Sequence, residues 1–266
     1  MTNQITPIAR SADEHYQRGN YQLAASEYRQ ALVLAEETGA PSLQLATLLN
    51  MLGIVCKYTG AFEEATRVYG RALALIAQEL GPNHTDVATL YHNLGGLEHE
   101  RGRFADGEPY ARRSVEIRER ALGPDHPDLA ADLAALAALL DGQRKFQESE
   151  PLYLRALAIF EQAYGPDHHE VGMTLGNLAA LKHARGKLEE AEPLYRRAVE
   201  IRERSLGIGH PSVASTRHNL AVLMRSHGRG DEADMFEAWA LGILESALGP
   251  QHPHAAACRA ALERRA

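Results

Sequence analysis

The chain has 266 residues, 45% hydrophobic and 24% charged, with 28 Lys and Arg against 35 Asp and Glu. The net charge of -7 argues against a nucleic acid as the main partner, because phosphate binding needs a basic stripe. No run reaches the roughly 18 apolar residues of a membrane-spanning helix, so a soluble, folded chain is expected.

From the start, Met1-Thr2-Asn3-Gln4-Ile5 lacks the basic stretch and apolar core of a signal peptide, and none is expected. Apolar residues at helical spacing then predict helix pairs over 6–18 with 22–37, 42–59 with 62–79, and 85–101 with 104–121. The pattern continues as 127–141 with 146–163, 169–185 with 188–205, and 211–227 with 231–247. A last helix, 253–264, has no partner and caps the end, where a terminal repeat would otherwise expose its stacking face.

One pair shows the logic. Val171, Leu175, Leu178 and Leu181 form the apolar stripe of a first helix, and Arg185-Gly186-Lys187 breaks it. The second helix opens on Leu188-Glu189-Glu190 and carries Arg196-Arg197 later, an order that suits the helix dipole. Pro193, like Pro109 and Pro151, falls about one turn into its helix and is read as an early-turn proline, not a break. Between pairs runs a linker: Leu80-Gly81-Pro82-Asn83-His84, Leu122-Gly123-Pro124-Asp125-His126, Tyr164-Gly165-Pro166-Asp167-His168, Leu206-Gly207-Ile208-Gly209-His210 and Leu248-Gly249-Pro250-Gln251-His252. Its glycines recur every 42 residues. A fixed period of this size marks a repeat array, so residues 1–266 are expected to form one all-α array of about six helix pairs.

The small-and-large pattern names the unit. Ala24-Tyr28-Ala31, Ala65-Tyr69-Ala72, Ser149-Tyr153-Ala156 and Ala191-Tyr195-Ala198 lie on second helices. Asn93-Leu94-Gly95, Asn177-Leu178-Ala179 and Asn219-Leu220-Ala221 lie on first helices. Together they resemble the tetratricopeptide repeat, whose unit of about 34 residues pairs Leu-Gly on helix A with Ala and an aromatic on helix B. The longer period, with Gly186-Lys187-Leu188-Glu189-Glu190-Ala191 and Ile201-Arg202-Glu203-Arg204-Ser205-Leu206-Gly207, is similar to kinesin light chains and bacterial proteins that share their repeats. A kinesin light chain also carries an N-terminal coiled coil; there is no room for one before the first helix, so a motor subunit is not expected. Some copies depart from the pattern: Ala135 stands where Asn is expected, Gly142 is displaced from the turn at Arg144, Gly107 and Ala111 sit on a B helix, and Glu237 replaces Tyr beside Trp239.

The resemblance implies a right-handed superhelical solenoid whose A helices line a concave groove that binds an extended peptide or a partner helix. An Asn amide there can bond a peptide unit through both its groups. The matching positions are Asn93, Asn177 and Asn219, with Asn50 beside Met51 in an earlier pair. His92, His99, His183, His218, Arg225 and Lys57 share that face. A non-enzymatic interaction module or scaffold is therefore expected, with other proteins or peptides as partners. The alternatives are a sensor that responds to a peptide or small ligand, and a regulatory subunit of a larger signalling or enzyme assembly.

Other signals are set aside. There is no phosphate-binding glycine loop, no Gly-x-Ser-x-Gly and no His-Glu-x-x-His; neither catalysis nor a cofactor is expected. The five linker histidines lie a whole helix pair apart, too far to share a metal, and are read as bracing the start of helix A; no metal site is expected. Cys56, among Ile54, Val55 and Tyr58, is read as a buried structural thiol, and two free thiols suit a reducing cytoplasm. Arg112-Arg113 to Arg120 and Arg196-Arg197 to Arg204 alternate with glutamates and read as a solvated, salt-bridged outer face. The Ala- and Arg-rich bias points to a bacterial source.

Overall fold

The computed structural model describes residues 5–251 and 253–263. His252, the fifth linker histidine, and residue 264, the expected end of the capping helix, lie outside them. Among the described residues there are thirteen α-helices and no strand. They are α1 (Ile5–Gln17), α2 (Tyr21–Glu37), α3 (Ser42–Tyr58), α4 (Phe62–Leu80), α5 (Thr85–Glu100), α6 (Phe104–Leu122) and α7 (Pro127–Gly142). Then follow α8 (Phe146–Tyr164), α9 (His169–Ala184), α10 (Leu188–Leu206), α11 (Pro211–Ser226), α12 (Gly230–Leu248) and the short terminal α13 (Pro253–Glu263). The helix-pair repeat with a terminal short helix is as expected.

The helices fall into two compact units, Met1–Arg144 and Lys145–Ala266. Within the first, each helix packs on the next, and the A helices also meet, α3 with α5 and α5 with α7. Within the second, α8 to α13 pack in sequence and α9 meets α11. The A helices thus form a face of their own in each unit.

What brings an A helix so close to its B helix is a tyrosine set between small residues. Tyr28, Tyr69, Tyr153 and Tyr195 are almost fully buried, as are the Ala and Ser residues that flank each of them by four and three positions. The fit is tight: a Cβ on Gly53 of α3 would lie 2.5 Å from the Tyr69 ring of α4. Only glycine leaves room for that ring. In the second unit Tyr195 packs with Ala179, Leu220 and Met224 in one apolar cluster.

The linker histidines start the A helices. His84, His126, His168 and His210 have extended backbones at the N-cap. Their Nδ1 atoms accept hydrogen bonds from the backbone N–H two residues on, at 3.2, 3.1, 3.3 and 3.1 Å. Each satisfies a donor that the helix itself leaves orphaned. Pro127 and Pro211 follow at the first helical position, which has no N–H to lose.

The arginine-rich B helices depart from the expectation of a fully solvated face. Arg112 pairs with Glu108, and Arg113 and Arg120 with Glu116, as expected of an outer face. Arg118 turns inward instead and bonds Thr89 Oγ1 at 2.8 Å and the Asp128 carbonyl at 3.2 Å. Arg202 does the same with Thr216 Oγ1 and the Ser212 carbonyl. Arg118 thus reaches both α5 and α7, whereas both partners of Arg202 are on α11.

The turn between α7 and α8 is also distinct. Arg144 has a φ of 61°, the one non-glycine residue with positive φ among the described residues. The matching positions of other pairs hold Gly60, Gly102, Gly186 and Gly228. The displaced Gly142 serves packing, since a Cβ there would lie 2.5 Å from the Phe104 ring.

Four outcomes are expected in urea unfolding. His126→Ala should lower stability by about 1 kcal/mol, and His126→Asp should restore most of it, because Asp is a strong N-cap. Arg144→Gly should raise stability by about 0.5–1 kcal/mol by relieving a left-handed side-chain residue, whereas Gly142→Ala should lower it by about 1 kcal/mol or more through overpacking against Phe104.

Candidate functional site

The expected binding residues lie on A helices, and their surroundings divide them into two sets. In the first unit they are largely engaged with one another or with the core. Asn93 of α5 donates from Nδ2 to Oδ1 of Asn50 on α3 at 2.7 Å. His92 Nδ1 lies 2.7 Å from Oδ1 of Asp132, a fully buried carboxylate on α7. The Arg118 guanidinium stands 3.4 Å from the other oxygen of Asp132. The Lys57 ammonium lies 5.4 Å from the centre of the Tyr58 ring. His99 sits edge-on to Phe104, ring centres 5.3 Å apart. Desolvation lowers its pKa below 6.5, and the Lys57 charge adds to this while Glu100 opposes it. A cleft of about 190 Å³ opens beside Asn50, lined also by Thr47, Asp86, Thr89 and Leu90.

The second unit differs. Asn177 of α9 is half-buried and Asn219 of α11 is exposed, one period apart. Neither has a hydrogen-bond partner among the described residues, so both amides are unspent. Exposed Met173 and Val222 lie on the same helices, with small Gly176 and Ala180 between. His183 is half-buried, and its pKa is lowered first by desolvation and then by His227. Arg225 is tied to Asp234 of α12 at 2.8 Å. His218 faces inward: its Nδ1 lies 2.7 Å from Glu237 Oε2 and 3.4 Å from Cys258 Sγ.

Sequence reasoning missed several of these partners. Asp132 lies 40 residues after His92, and Cys258 lies 40 after His218. Those offsets reach from one A helix to the next, and the signal is visible only once the period is used to align positions three repeats apart. Buried charge was missed too. Lys182, buried on α9, pairs with Glu150 of α8 and with Glu190 of α10, and Arg185 joins it on Glu150. The Lys182 and Lys187 ammoniums pull the Glu190 carboxyl down to about 2. The cysteines are both free and buried. Burial pushes the Cys56 thiol up to about 11 and, with the Glu237 charge beside it, the Cys258 thiol up to about 12.

Two of the A-helix histidines give a direct check. For His99 and His183 the folded pKa lies below 6.5, so the unfolded chain holds the proton better. Their contribution to stability is present above about pH 6.5 and is lost as pH falls through the folded values. Titration of the imidazole signals by NMR should show both histidines titrating below 6.5, with His183→Gln flattening the acid side of the stability profile.

Among the described residues, no helix is long and apolar enough to cross a membrane. Comparison with curated proteins gives no match. The family model for the tetratricopeptide repeat matches residues 9–78, 86–162, 136–204 and 170–246. Among solved structures, the chain is similar to BtubC (BKLC) from P. vanneervenii, at 23% identity and a TM-score of 0.67, covering 94% of each chain. It is similar to the nearly identical TPR-like repeats of a putative kinesin light chain from Podosopora anserina, at 23% identity and a TM-score of 0.62, covering 78% of this chain and 98% of that one. A Rap protein complexed with competence and sporulation factor is similar at 16% identity and a TM-score of 0.63, with 97% and 73% covered.

Proposed function

The chain belongs to the tetratricopeptide repeat family, and from that premise we propose that it is a non-catalytic, cytoplasmic interaction module that holds an extended protein segment on its A-helix face. The proposal takes residues 1–266 as one array and other proteins, not nucleic acid, as its partners.

One observation carries the reading: the unspent amides of Asn177 and Asn219, at the same register of neighbouring A helices. A side-chain amide offers an acceptor and two donors, the complement of a peptide unit's N–H and C=O. Packed helices lie on the order of 10 Å apart, which an extended chain spans in about three residues. The two amides would therefore hold peptide units about three residues apart. Gly176 and Ala180 leave space for a backbone, and Met173 and Val222 offer apolar contact for its side chains. His183 completes this set. On the first unit's own A-helix face Asn50 and Asn93 satisfy each other, so a segment laid on that face must break their bond, and with His99 and Lys57 they are weaker contacts for it. His92, His218 and Arg225 hold buried or neighbouring carboxylates and are supports of the face.

The Rap protein in complex with competence and sporulation factor favours a second reading, a ligand-responsive sensor. In that reading the bound segment alters the shape of the array, which small-angle scattering with and without partner would register.

The test is a double substitution, Asn177→Ala with Asn219→Ala. Each loss removes a backbone-directed hydrogen bond worth about 1 kcal/mol. Partner affinity should fall at least about fivefold, with helix content unchanged by circular dichroism. The partner comes from an affinity pull-down of wild type beside mutant. Unchanged affinity in a folded double mutant moves the site off this face.

A further inference from the structure

We propose that His218, Glu237 and Cys258 form a binding site for one divalent metal ion of the zinc class, which ties the terminal helix α13 to α11 and α12.

The site arises where the repeat changes its chemistry. Position 237 is the tyrosine slot of the earlier pairs, held by Tyr69, Tyr153 and Tyr195. Here it carries a carboxylate, fully buried. Cys258 on α13 is fully buried as well, and His218 on α11 closes the third side. One donor atom from each of the three lies within 4.8 Å of the other two. Tetrahedral zinc, with bonds of about 2.0–2.3 Å to nitrogen, oxygen and sulfur, sets its ligands roughly 3.3–3.7 Å apart. The observed separations of 2.7 Å from His218 Nδ1 to Glu237 Oε2 and 3.4 Å from His218 Nδ1 to Cys258 Sγ need only small shifts to admit an ion.

Two features argue for a cation over a self-sufficient polar cluster. Glu237 Oε1 is buried with no hydrogen-bond partner, which a buried carboxylate does not tolerate cheaply. The second comes from the pair three periods earlier. There His92 meets buried Asp132, and Arg118 supplies the positive charge. The residue at the Arg118 register near Glu237 is Leu244, fully buried. The carboxylate is retained in kind, the guanidinium is gone, and a thiol has replaced the acid at the Asp132 register. Imidazole and thiolate select zinc-like ions over magnesium or calcium. Carboxylate and thiolate together balance a charge of two.

The arrangement does not suit a nucleophilic relay. Glu237 and Cys258 both approach the same nitrogen, Nδ1 of His218. A relay needs the acid and the nucleophile on opposite nitrogens. Convergence on one point is what a shared ion requires. The fourth position would be open to water, since the His218 side chain keeps partial exposure.

The test uses the tag-free full chain and Co2+, whose thiolate complexes show a charge-transfer band in the near ultraviolet. One Co2+ per chain should bind with that band, and Zn2+ should displace it. Cys258→Ser should abolish the band. Glu237→Gln should weaken binding at least tenfold. Cys56→Ala, in a separate core region, should keep wild-type titration. A wild type without the band, or a band that persists in Cys258→Ser, overturns the proposal. If Cys258→Ser does not fold by circular dichroism, a folded Glu237→Gln with wild-type affinity overturns it instead. None of these substitutions touches Asn177 or Asn219, so partner binding and metal binding fail separately.

Discussion

The close approach of paired helices, with a tyrosine filling the space that small residues open, is the constraint on which the rest depends. At Tyr69 the tolerance is a single methyl group, since Gly53 has no room for a Cβ. Packing this dense fixes how each B helix seats on its A helix. It thereby decides which A-helix side chains point into the pair and which stay on the free face. Asn177 and Asn219 reach that face because the apolar residues around them, Leu175, Leu178, Leu220 and Leu223, are committed to the core.

Where the tyrosine is missing, polar chemistry takes its place. Ala111 occupies the slot in α6, and the neighbouring His92 reaches buried Asp132 with Arg118 beside it. Glu237 occupies it in α12, and His218 and Cys258 gather round. Both clusters use an A-helix histidine at one register and a group on the next A helix. They differ in how the buried negative charge is met. An interior of low polarity makes that difference matter, because an unpaired ion there costs far more than at the surface.

The linkers show how a repeated residue can serve the backbone at every helix start. Four linker histidines accept the same backbone hydrogen bond at the same helix position. Their recurrence reflects the recurrence of an orphaned N–H at every A-helix start. The arginines that turn inward follow the same rule: Arg118 ends on a carbonyl of the following A helix and a threonine hydroxyl of the preceding one, and Arg202 on a carbonyl and a threonine hydroxyl of the following A helix.

The sequence by itself determined the helix pairs, the repeat and its family, because a period of 42 residues and helical spacing of apolar residues are local properties. It also marked Cys56 as a core thiol and Arg144 as an odd turn residue. It named the A-helix face and its candidates, but not which of them are free. That was decided in the tertiary structure, where Asn93 meets Asn50, His92 meets Asp132 and Arg225 meets Asp234, while Asn177 and Asn219 have no hydrogen-bond partner among the described residues. The same holds for His218, Glu237 and Cys258, which lie on three helices and look unrelated in the chain. Side-chain pairing joins residues that are 9 to 43 positions apart, and no pattern within a helix records which partner a polar group will find once the helices pack.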